Sequence, residues 1–230
     1  LRSLMGVAEI KPLSLNAGNI GFGIGPRLNA AGRLESAQAA LELLLTDDVY
    51  TAGSLAQQLD NQNRDRQKLT REMQLAAEQL ALEHDPDSPL LFAAHVDFNP
   101  GVVGLAASRL TEAYYRPAIV AHRNADYTRG SCRSIPEFHI TAALDECADL
   151  LVRHGGHKAA AGFTVLNENL PELIERLRQI AARELAGKEL RPVLRIEQEV
   201  GFPLLNNAAY QALNLLEPTG YGNPRPVFMT

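Results

Sequence analysis

The stretch Arg153–Phe163 combines residue types that can bind an anion. It holds two cations, two histidines and three glycines within eleven residues. Paired glycines such as Gly155 and Gly156 let the backbone come close to a ligand, and neighbouring His and Lys side chains can donate hydrogen bonds to phosphate oxygens. The stretch therefore predicts an anion-binding loop. The alternative is structural: a glycine C-cap after a helix that ends near Arg153, with His157 as a solvated turn residue.

A second cluster, Gly25–Arg33, places three polar side chains among small residues. Small residues allow close backbone approach, while Arg27, Asn29 and Arg33 offer several hydrogen-bond donors. This arrangement would suit a phosphate-bearing ligand. Taken alone, the cluster favours the alternative, a surface turn with solvated arginines.

Two more clusters carry the same kind of signal. Thr128–Ser134 ends a predicted strand in hydroxyls and two guanidiniums, which suit bidentate phosphate recognition. Its alternative is an edge strand with exposed arginines. Asp97–Gly104 begins a helix whose free N–H groups would suit an anion. Here plain capping by Asn99, with Pro100 in the first turn, is favoured.

Composition narrows the class of protein. The 230 residues are 46% apolar and 21% charged, an ordinary globular balance. A net charge of -5 argues against indiscriminate polyanion binding and still allows a local basic site. No apolar run predicts a membrane span or a leader. The chain begins at Leu1 and stops at Thr230, inside a strand-like run, so we expect a fragment cut at both ends.

Cysteine and histidine usage argues against metal or disulfide frameworks. Cys132 and Cys147 are too few for a disulfide framework and too far apart for a zinc motif. Reduced thiols and a cytoplasmic location are expected. The remaining histidines show no ligand spacing with acidic neighbours, so no metal site is predicted within the chain: His84, His95, His122 and His139.

Hydrophobic periodicity predicts an α/β protein with a long helix. Thr46 is a candidate N-cap for a helix over 47–83, whose centre, 60–68, contains no apolar residue. A helix that is polar all round predicts a solvent-exposed bridge between domains. Further predictions are helices at 37–45, 102–115, 140–152 and 170–186, and strands at 90–96, 117–122, 127–133, 162–166 and 193–200.

Taken together and in order, the clusters resemble the C-terminal part of the RecJ-type single-stranded-DNA exonucleases of the DHH phosphoesterase superfamily. The resemblance rests on five segments in register, any one of which is weak alone. They are Gly25–Arg33, Gly101–Gly104 with Ala107–Leu110, Gly130–Ser134, Gly155–Gly162, and Glu217–Pro218 with Gly220–Pro224.

The resemblance implies a domain order. Residues 1–45 would end the DHH catalytic domain, 46–86 would form the long connecting helix, and 87–188 would form the DHH-associated substrate-binding domain. Residues 189–230 would begin a truncated oligonucleotide-binding β-barrel. The implied fold is thus a small mixed-sheet DHH-associated domain, preceded by a long bridging helix and followed by the start of that barrel.

It also implies an activity. The parent protein would be a metal-dependent exodeoxyribonuclease that hydrolyses single-stranded DNA from the 5′ end with two divalent metals, Mn²⁺ or Mg²⁺, held by a DHH domain whose motifs are absent here. This chain would position the strand and have no nuclease activity by itself. DNA repair and recombination, with single-strand-binding protein and a helicase as partners, are implied in the same way.

Residue by residue, the resemblance assigns phosphate or strand contacts to Arg27, Asn29, Arg33, Arg133, Ser134, Gly155, Gly156 and His157. For Arg27 and Asn29, bracing of the cleft is the alternative role. His157 is the one candidate for a catalytic role. Asn99 stands where the family commonly has His, and Cys132 where it commonly has Gly. Two alternatives remain open: a DHH-family phosphodiesterase for short oligonucleotides or cyclic dinucleotides, and a non-catalytic nucleic-acid-binding module.

Overall fold

A computed structural model describes residues 1–34, 36–220 and 222–230. Tyr221, part of the last family-like segment, lies outside the described residues. The α-helices are α1 Arg2–Val7, α2 Gly25–Leu34, α3 Gln38–Leu45, α4 Val49–His84, α5 Val103–Tyr114, α6 Ile140–Asp145, α7 Leu170–Leu185 and α8 Asn207–Asn214. The strands are β1 Leu91–His95, β2 Ala118–Arg123, β3 Tyr127–Arg133, β4 Leu151–His157, β5 Ala160–Leu166, β6 Gln198–Glu199 and β7 Phe228–Met229.

The chain divides into two compact units, with α4 contributing to both. The first unit comprises Leu1–Arg64 and Val193–Thr230, and the second comprises Asp65–Pro192. Among the helices of the described residues, none combines the length and the apolar character needed to cross a bilayer.

A five-stranded mixed sheet forms the second unit, in the order β1-β2-β3-β5-β4. Strands β1 and β2 are parallel and are joined through α5, while the other neighbours are antiparallel. Ala118–Ala121 in β2 are all buried, as expected for a continuous apolar run covered on both faces. Strand β3 alternates between buried and more exposed residues, which indicates that one of its faces is only partly covered.

Two apolar clusters cover the sheet on opposite faces. On one face, α6 and α7 pack against side chains that include Cys132 and Phe163. Gly130 makes room for the ring of Phe163, because a Cβ there would lie 2.3 Å from the ring. On the other face, α5 and the stripe Met73, Ala77 and Ala81 of α4 pack over β1 and β2. The four-residue spacing of that stripe keeps it on one side of the helix.

Helix α4 confirms the predicted long helix, but its N-cap and the burial of its polar centre differ from the prediction. The side chain of Asp48, rather than Thr46, accepts a hydrogen bond from the Thr51 N–H at 2.7 Å. Hydrogen bonds from the Thr51 side chain and from the Thr51 backbone N–H lower the pKa of Asp48. The helix is about 54 Å long at 1.5 Å per residue. Its polar centre is not fully solvent-exposed, because Asp60 and Asn63 are buried.

Other predictions fail where tertiary contacts outweigh local pattern. The helix expected over 140–152 ends at Asp145, and Leu151 instead begins β4, which pairs with β5. The segment 25–33 is not a turn but the helix α2, with Pro26 at its junction with a preceding π-helical segment. Of the strand expected over 193–200, only Gln198 and Glu199 pair, with β7. The barrel itself remains a prediction.

Candidate nucleic-acid interface

The predicted anion-binding loop is in fact the edge strand β4. Residues Arg153–His157 pair with β5, so neither the loop nor the helix C-cap is correct. Strand β3 is likewise not an edge strand, because β2 and β5 flank it. The candidate residues of the second unit therefore lie on neighbouring strands of one sheet, where register decides which of them meet.

Strands β3, β5 and β4 present three rows of side chains on the face opposite α6 and α7. One row is Arg133–Ala160–His157, the next is Ser131–Gly162–Gly155, and the third is Arg129–Thr164–Arg153. Side chains two residues apart on a strand share a face, which places all three rows on the same side. The outer two rows carry the cations, and the middle row carries almost no side-chain volume.

Arg133 lies at one end of this face, beside α5. Its Nη1 donates to the Cys132 carbonyl at 2.8 Å and to Ser131 Oγ at 3.3 Å. Gly104 of α5 allows this arrangement, since a Cβ there would lie 3.0 Å from Arg133 Nη2 and 2.9 Å from Ser131 Oγ. The guanidinium is half-buried, so part of its donor fork is directed by contacts within the protein.

His157 ends the same row on β4 and is exposed. Its Nδ1 accepts a hydrogen bond from the Ala159 N–H at 3.3 Å. In the neutral ring, an accepting Nδ1 places the proton on Nε2, which then becomes a donor. We call the face that carries these three rows the open face. The other histidine of the segment, His154, lies on the opposite face and bonds Asp145 at 2.8 Å, so of these two histidines only His157 lies on the open face.

The two glycines of β4 have different surroundings. Gly155 lies in the middle row, and a Cβ there would meet no atom within 4 Å, which leaves open space above it. At Gly156 a Cβ would lie 2.4 Å from the Ala160 carbonyl oxygen and 2.5 Å from Ala161 Cα. Gly156 is therefore explained by close packing of the two strands, whereas the backbone at Gly155 is open to a ligand.

Ser134 follows β3 directly. Its hydroxyl donates to the Phe138 carbonyl at 2.9 Å, and its backbone N–H donates to the Ala159 carbonyl at 2.9 Å. These bonds secure the turn after β3. The Ser134 oxygen keeps only its acceptor capacity for a ligand.

The remaining candidates lie on α2 in the first unit. Arg27 donates from Nε to Asp60 Oδ1 at 2.8 Å, from Nη1 to the Gly23 carbonyl at 2.8 Å and from Nη2 to the Val7 carbonyl at 3.4 Å. These partners make Arg27 an internal brace. Asn29 and Arg33 are exposed on the same helix.

The two departures from the family pattern have local roles. Cys132 is fully buried among the core residues on the α6 and α7 face, and this burial raises the pKa of its thiol to about 12. Asn99 Oδ1 accepts from the Gly101 N–H at 2.8 Å. Helix α5 begins only at Val103, so Asn99 shapes the turn before the helix and Pro100 lies outside its first turn.

Within the described ranges, no group of three or more His, Cys, Asp or Glu side chains is arranged to hold a metal ion. The described residues therefore do not fit a metal site. The face of the sheet offers instead guanidinium, imidazole and hydroxyl groups, which are donors for phosphate oxygens.

Sequence reasoning singled out Arg133, Ser134, Gly155 and His157 but did not include Arg129 or Arg153 among the contact residues. Both are exposed and belong to the third row of the open face. The signal was present, because each lies two or four residues along the strand from a chosen residue. It could be used only once both segments were known to be strands.

Comparisons with known proteins give matches along nearly the whole chain. Residues 87–183 match the DHHA1 domain. The single-stranded-DNA-specific exonuclease RecJ of Bacillus subtilis is 36% identical over 96% of this chain and 29% of its own length, and that of Thermus thermophilus is 36% identical over 97% and 32%. The chain thus spans about a third of the length of these relatives.

A solved structure gives the same result. The crystal structure of RecJ from Thermus thermophilus in complex with Mn²⁺ superposes with a TM-score of 0.85 at 35% identity, covering 99% of this chain and 33% of that one. The same protein in complex with Mg²⁺ gives the same score. Over nearly its whole length the chain is therefore similar to the RecJ exonucleases, and its residues 87–183 match the DHHA1 domain.

Proposed function

We propose that this chain positions a nucleic-acid strand in an exonuclease that hydrolyses single-stranded DNA from its 5′ end. The observation that carries the proposal is the row Arg133–Ala160–His157. The pairing of β3, β5 and β4 places it next to the glycine-rich row Ser131–Gly162–Gly155. The names of the RecJ relatives, which describe single-stranded-DNA-specific exonucleases, support the substrate class.

The row suits a phosphodiester. The Arg133 guanidinium is a planar cation that binds phosphate oxygens through its donor fork. His157 Nε2 adds a second donor across β5, where Ala160 is too small to separate the two side chains. The open backbone at Gly155 lets the sugar-phosphate chain approach the sheet, and Ser134, whose hydroxyl proton is donated to the Phe138 carbonyl, secures the turn that follows Arg133.

This proposal assigns the chain binding and orientation. Divalent metals, Mn²⁺ or Mg²⁺, would supply water activation and charge neutralisation when bound, and the described residues offer no ligand set for them. We infer that this chain alone does not hydrolyse DNA.

In the first unit, Arg27 braces α2, while Asn29 and Arg33 are exposed for contact with the strand. The same proposal includes repair and recombination in the cytoplasm, with single-strand-binding protein and a helicase as partners.

The test measures binding of this chain to a 3′-labelled single-stranded oligonucleotide, with and without a 5′-phosphate, by fluorescence anisotropy across a salt series. Arg133→Gln removes the charge and keeps an amide, so affinity should fall by about tenfold or more. The salt dependence should also become shallower.

Arg123→Gln is the matched control. Arg123 is an exposed arginine at the end of β2, and the alternation of side chains places it on the opposite face of the same sheet. It should bind like the wild type. Equal affinity of Arg133→Gln and Arg123→Gln, with both chains folded, would overturn the assignment of the strand to this face.

A further inference from the structure

The other end of the open face carries a pair of arginines. Arg129 of β3 and Arg153 of β4 both pair with Thr164 of β5, so the three residues form one row. Arg129 lies four residues from Arg133 along β3, and Arg153 lies four residues from His157 along β4. An even spacing keeps both pairs on the same face.

Local contacts orient these two guanidiniums without neutralising them. The Arg129 guanidinium carbon lies 5.0 Å from the centre of the Tyr127 ring, an aromatic contact that leaves its charge in place. Arg153 Nε donates to Thr164 Oγ1 at 3.2 Å. Thr164 is only 8% exposed, so its hydroxyl is a fixed anchor that draws Arg153 over β5.

Arg129 and Arg153 differ from the arginines of α7 in their acidic partners. Arg176 lies 2.9 Å from Asp149 and 2.6 Å from Glu172, and Arg183 lies 2.8 Å from Glu146. Among the described residues, no carboxylate oxygen comes within 4.0 Å of Arg129 or Arg153. In a chain with a net charge of -5, two neighbouring arginines without an acidic partner form a local anion-attracting site.

The spacing of the two outer rows favours contacts with different phosphates. Four residues of strand span about 13 Å, which is too far for one phosphate to contact both rows directly. Between them lies the row Ser131–Gly162–Gly155, in which two of the three positions have no side chain. A sugar-phosphate backbone can therefore pass from one cationic row to the other without a steric barrier.

We propose that Arg129, Thr164 and Arg153 form a second phosphate subsite for the same single strand. It contacts a phosphodiester that is not adjacent to the one held by Arg133 and His157. This inference rests on the proposed function of the open face and deepens it. One bound phosphate lets a flexible strand pivot, whereas two separated phosphates define its path across the sheet.

The experiment compares oligonucleotides of increasing length. Wild-type affinity should rise steeply once the strand is long enough to span both rows, because the second contact becomes intramolecular. The double variant Arg129→Gln with Arg153→Gln should lose this rise, and on longer strands it should bind about tenfold more weakly. If the two arginines share one phosphate, the slope of log affinity against log salt should fall by about 0.7. For strands too short to span the rows, the variant should stay within about twofold of the wild type.

The outcomes separate this inference from the proposed function. If Arg133→Gln weakens binding while the double variant matches the wild type at every length, the second subsite is wrong and the proposed function stands. If neither variant weakens binding, both are wrong. Arg123→Gln again serves as the control on the opposite face, and it is charge-matched to Arg129→Gln alone. Thermal melting checks each fold, and Arg129→Gln alone carries the test if loss of the Arg153–Thr164 bond unfolds the chain.

Discussion

Two arginines of this chain look alike in sequence and differ in their surroundings. Arg27 follows Gly25 and Pro26, and Arg129 precedes Gly130, so both stand in glycine-containing clusters that suggest phosphate binding. Arg27 bonds two carbonyls and the carboxylate of Asp60, whereas the Arg129 guanidinium lies over the Tyr127 ring. The difference teaches that the partner, rather than the neighbouring residue types, separates a structural guanidinium from one available to an anion.

The buried partner of Arg27 explains why that region is structural. Asp60 is 1% exposed and lies 2.8 Å from both Arg27 and Arg64. A buried carboxylate needs such compensation, since desolvation of an unpaired charge is costly. The open sheet face has the opposite arrangement, with exposed cations and, among the described residues, no carboxylate oxygen within 4.0 Å of Arg129 or Arg153.

Replacing Asp60 should produce the largest effect on stability. Asp60→Ala leaves Arg27 with its charge uncompensated inside the first unit, so the free energy of unfolding should fall by about 3 kcal/mol. Denaturant unfolding followed by circular dichroism measures the loss. Asp65→Ala, at an exposed position of the same helix, should change little. A loss below about 1 kcal/mol for Asp60→Ala would contradict the structural role of this pair.

Cys132 sharpens the contrast between the two faces of β3, because it is buried beside the half-buried Arg133. Burial raises the pKa of the Cys132 thiol from 9.0 to about 12. The unfolded chain therefore loses this proton first as pH rises, and stability should fall by about 1.4 kcal/mol between pH 8 and 10 from this group. Comparing unfolding of the wild type with Cys132→Ala at both pH values isolates the contribution. Identical pH dependence in the two chains would be the contrary result.

Gly104→Ala should separate binding from stability. The added Cβ would meet Arg133 Nη2 at 3.0 Å and Ser131 Oγ at 2.9 Å, and these flexible ends can move away. Affinity for single-stranded DNA should fall several-fold, by about 1 kcal/mol, while helix α5 should not be destabilised, because Ala is the better helix former. Anisotropy and thermal melting give the two readouts.

Gly53→Ala is the control for that prediction. Gly53 also lies within a helix, and a Cβ there meets no atom within 4 Å. It should match the stability effect and leave binding unchanged. Equal binding by the wild type and Gly104→Ala would show that the position of the Arg133 guanidinium does not matter.

Arg129→Gln should have the smallest effect on stability. The side chain is exposed, so the free energy of unfolding should change by less than about 0.5 kcal/mol. When Asp60→Ala is measured in the same denaturation assay, a change this small would distinguish the exposed Arg129 from the structural Arg27. A loss as large as that of Asp60→Ala would make Arg129 structural too.

Much of the fold was predictable because apolar runs and helical periodicity are local signals. The strands near 91–95 and 118–123 and the helix α7 were found in this way. Strand β4 was missed, because Gly155 and Gly156 carry no hydrophobic pattern and a helical pattern precedes them. Pairing with β5 supplies the backbone hydrogen bonds that make this segment a strand.

The candidate site was predictable in part for the same reason. Arg133 and His157 could be chosen by residue type and by family resemblance. Arg129 and Arg153 could not be grouped with each other, since 24 positions separate them and only their shared pairing with Thr164 brings them into one row. Gly156 was assigned to ligand approach, and only the structure reveals that it also allows close packing of β4 against β5.

By itself, the sequence determined the α/β class, the long helix and the chemical groups available for a phosphate, because these depend on composition and short-range spacing. The tertiary structure decided which groups share a face and which are already neutralised. Register set the rows of the open sheet, and burial of Asp60 made Arg27 a brace. Both depend on contacts between distant segments, and no local pattern contains that information.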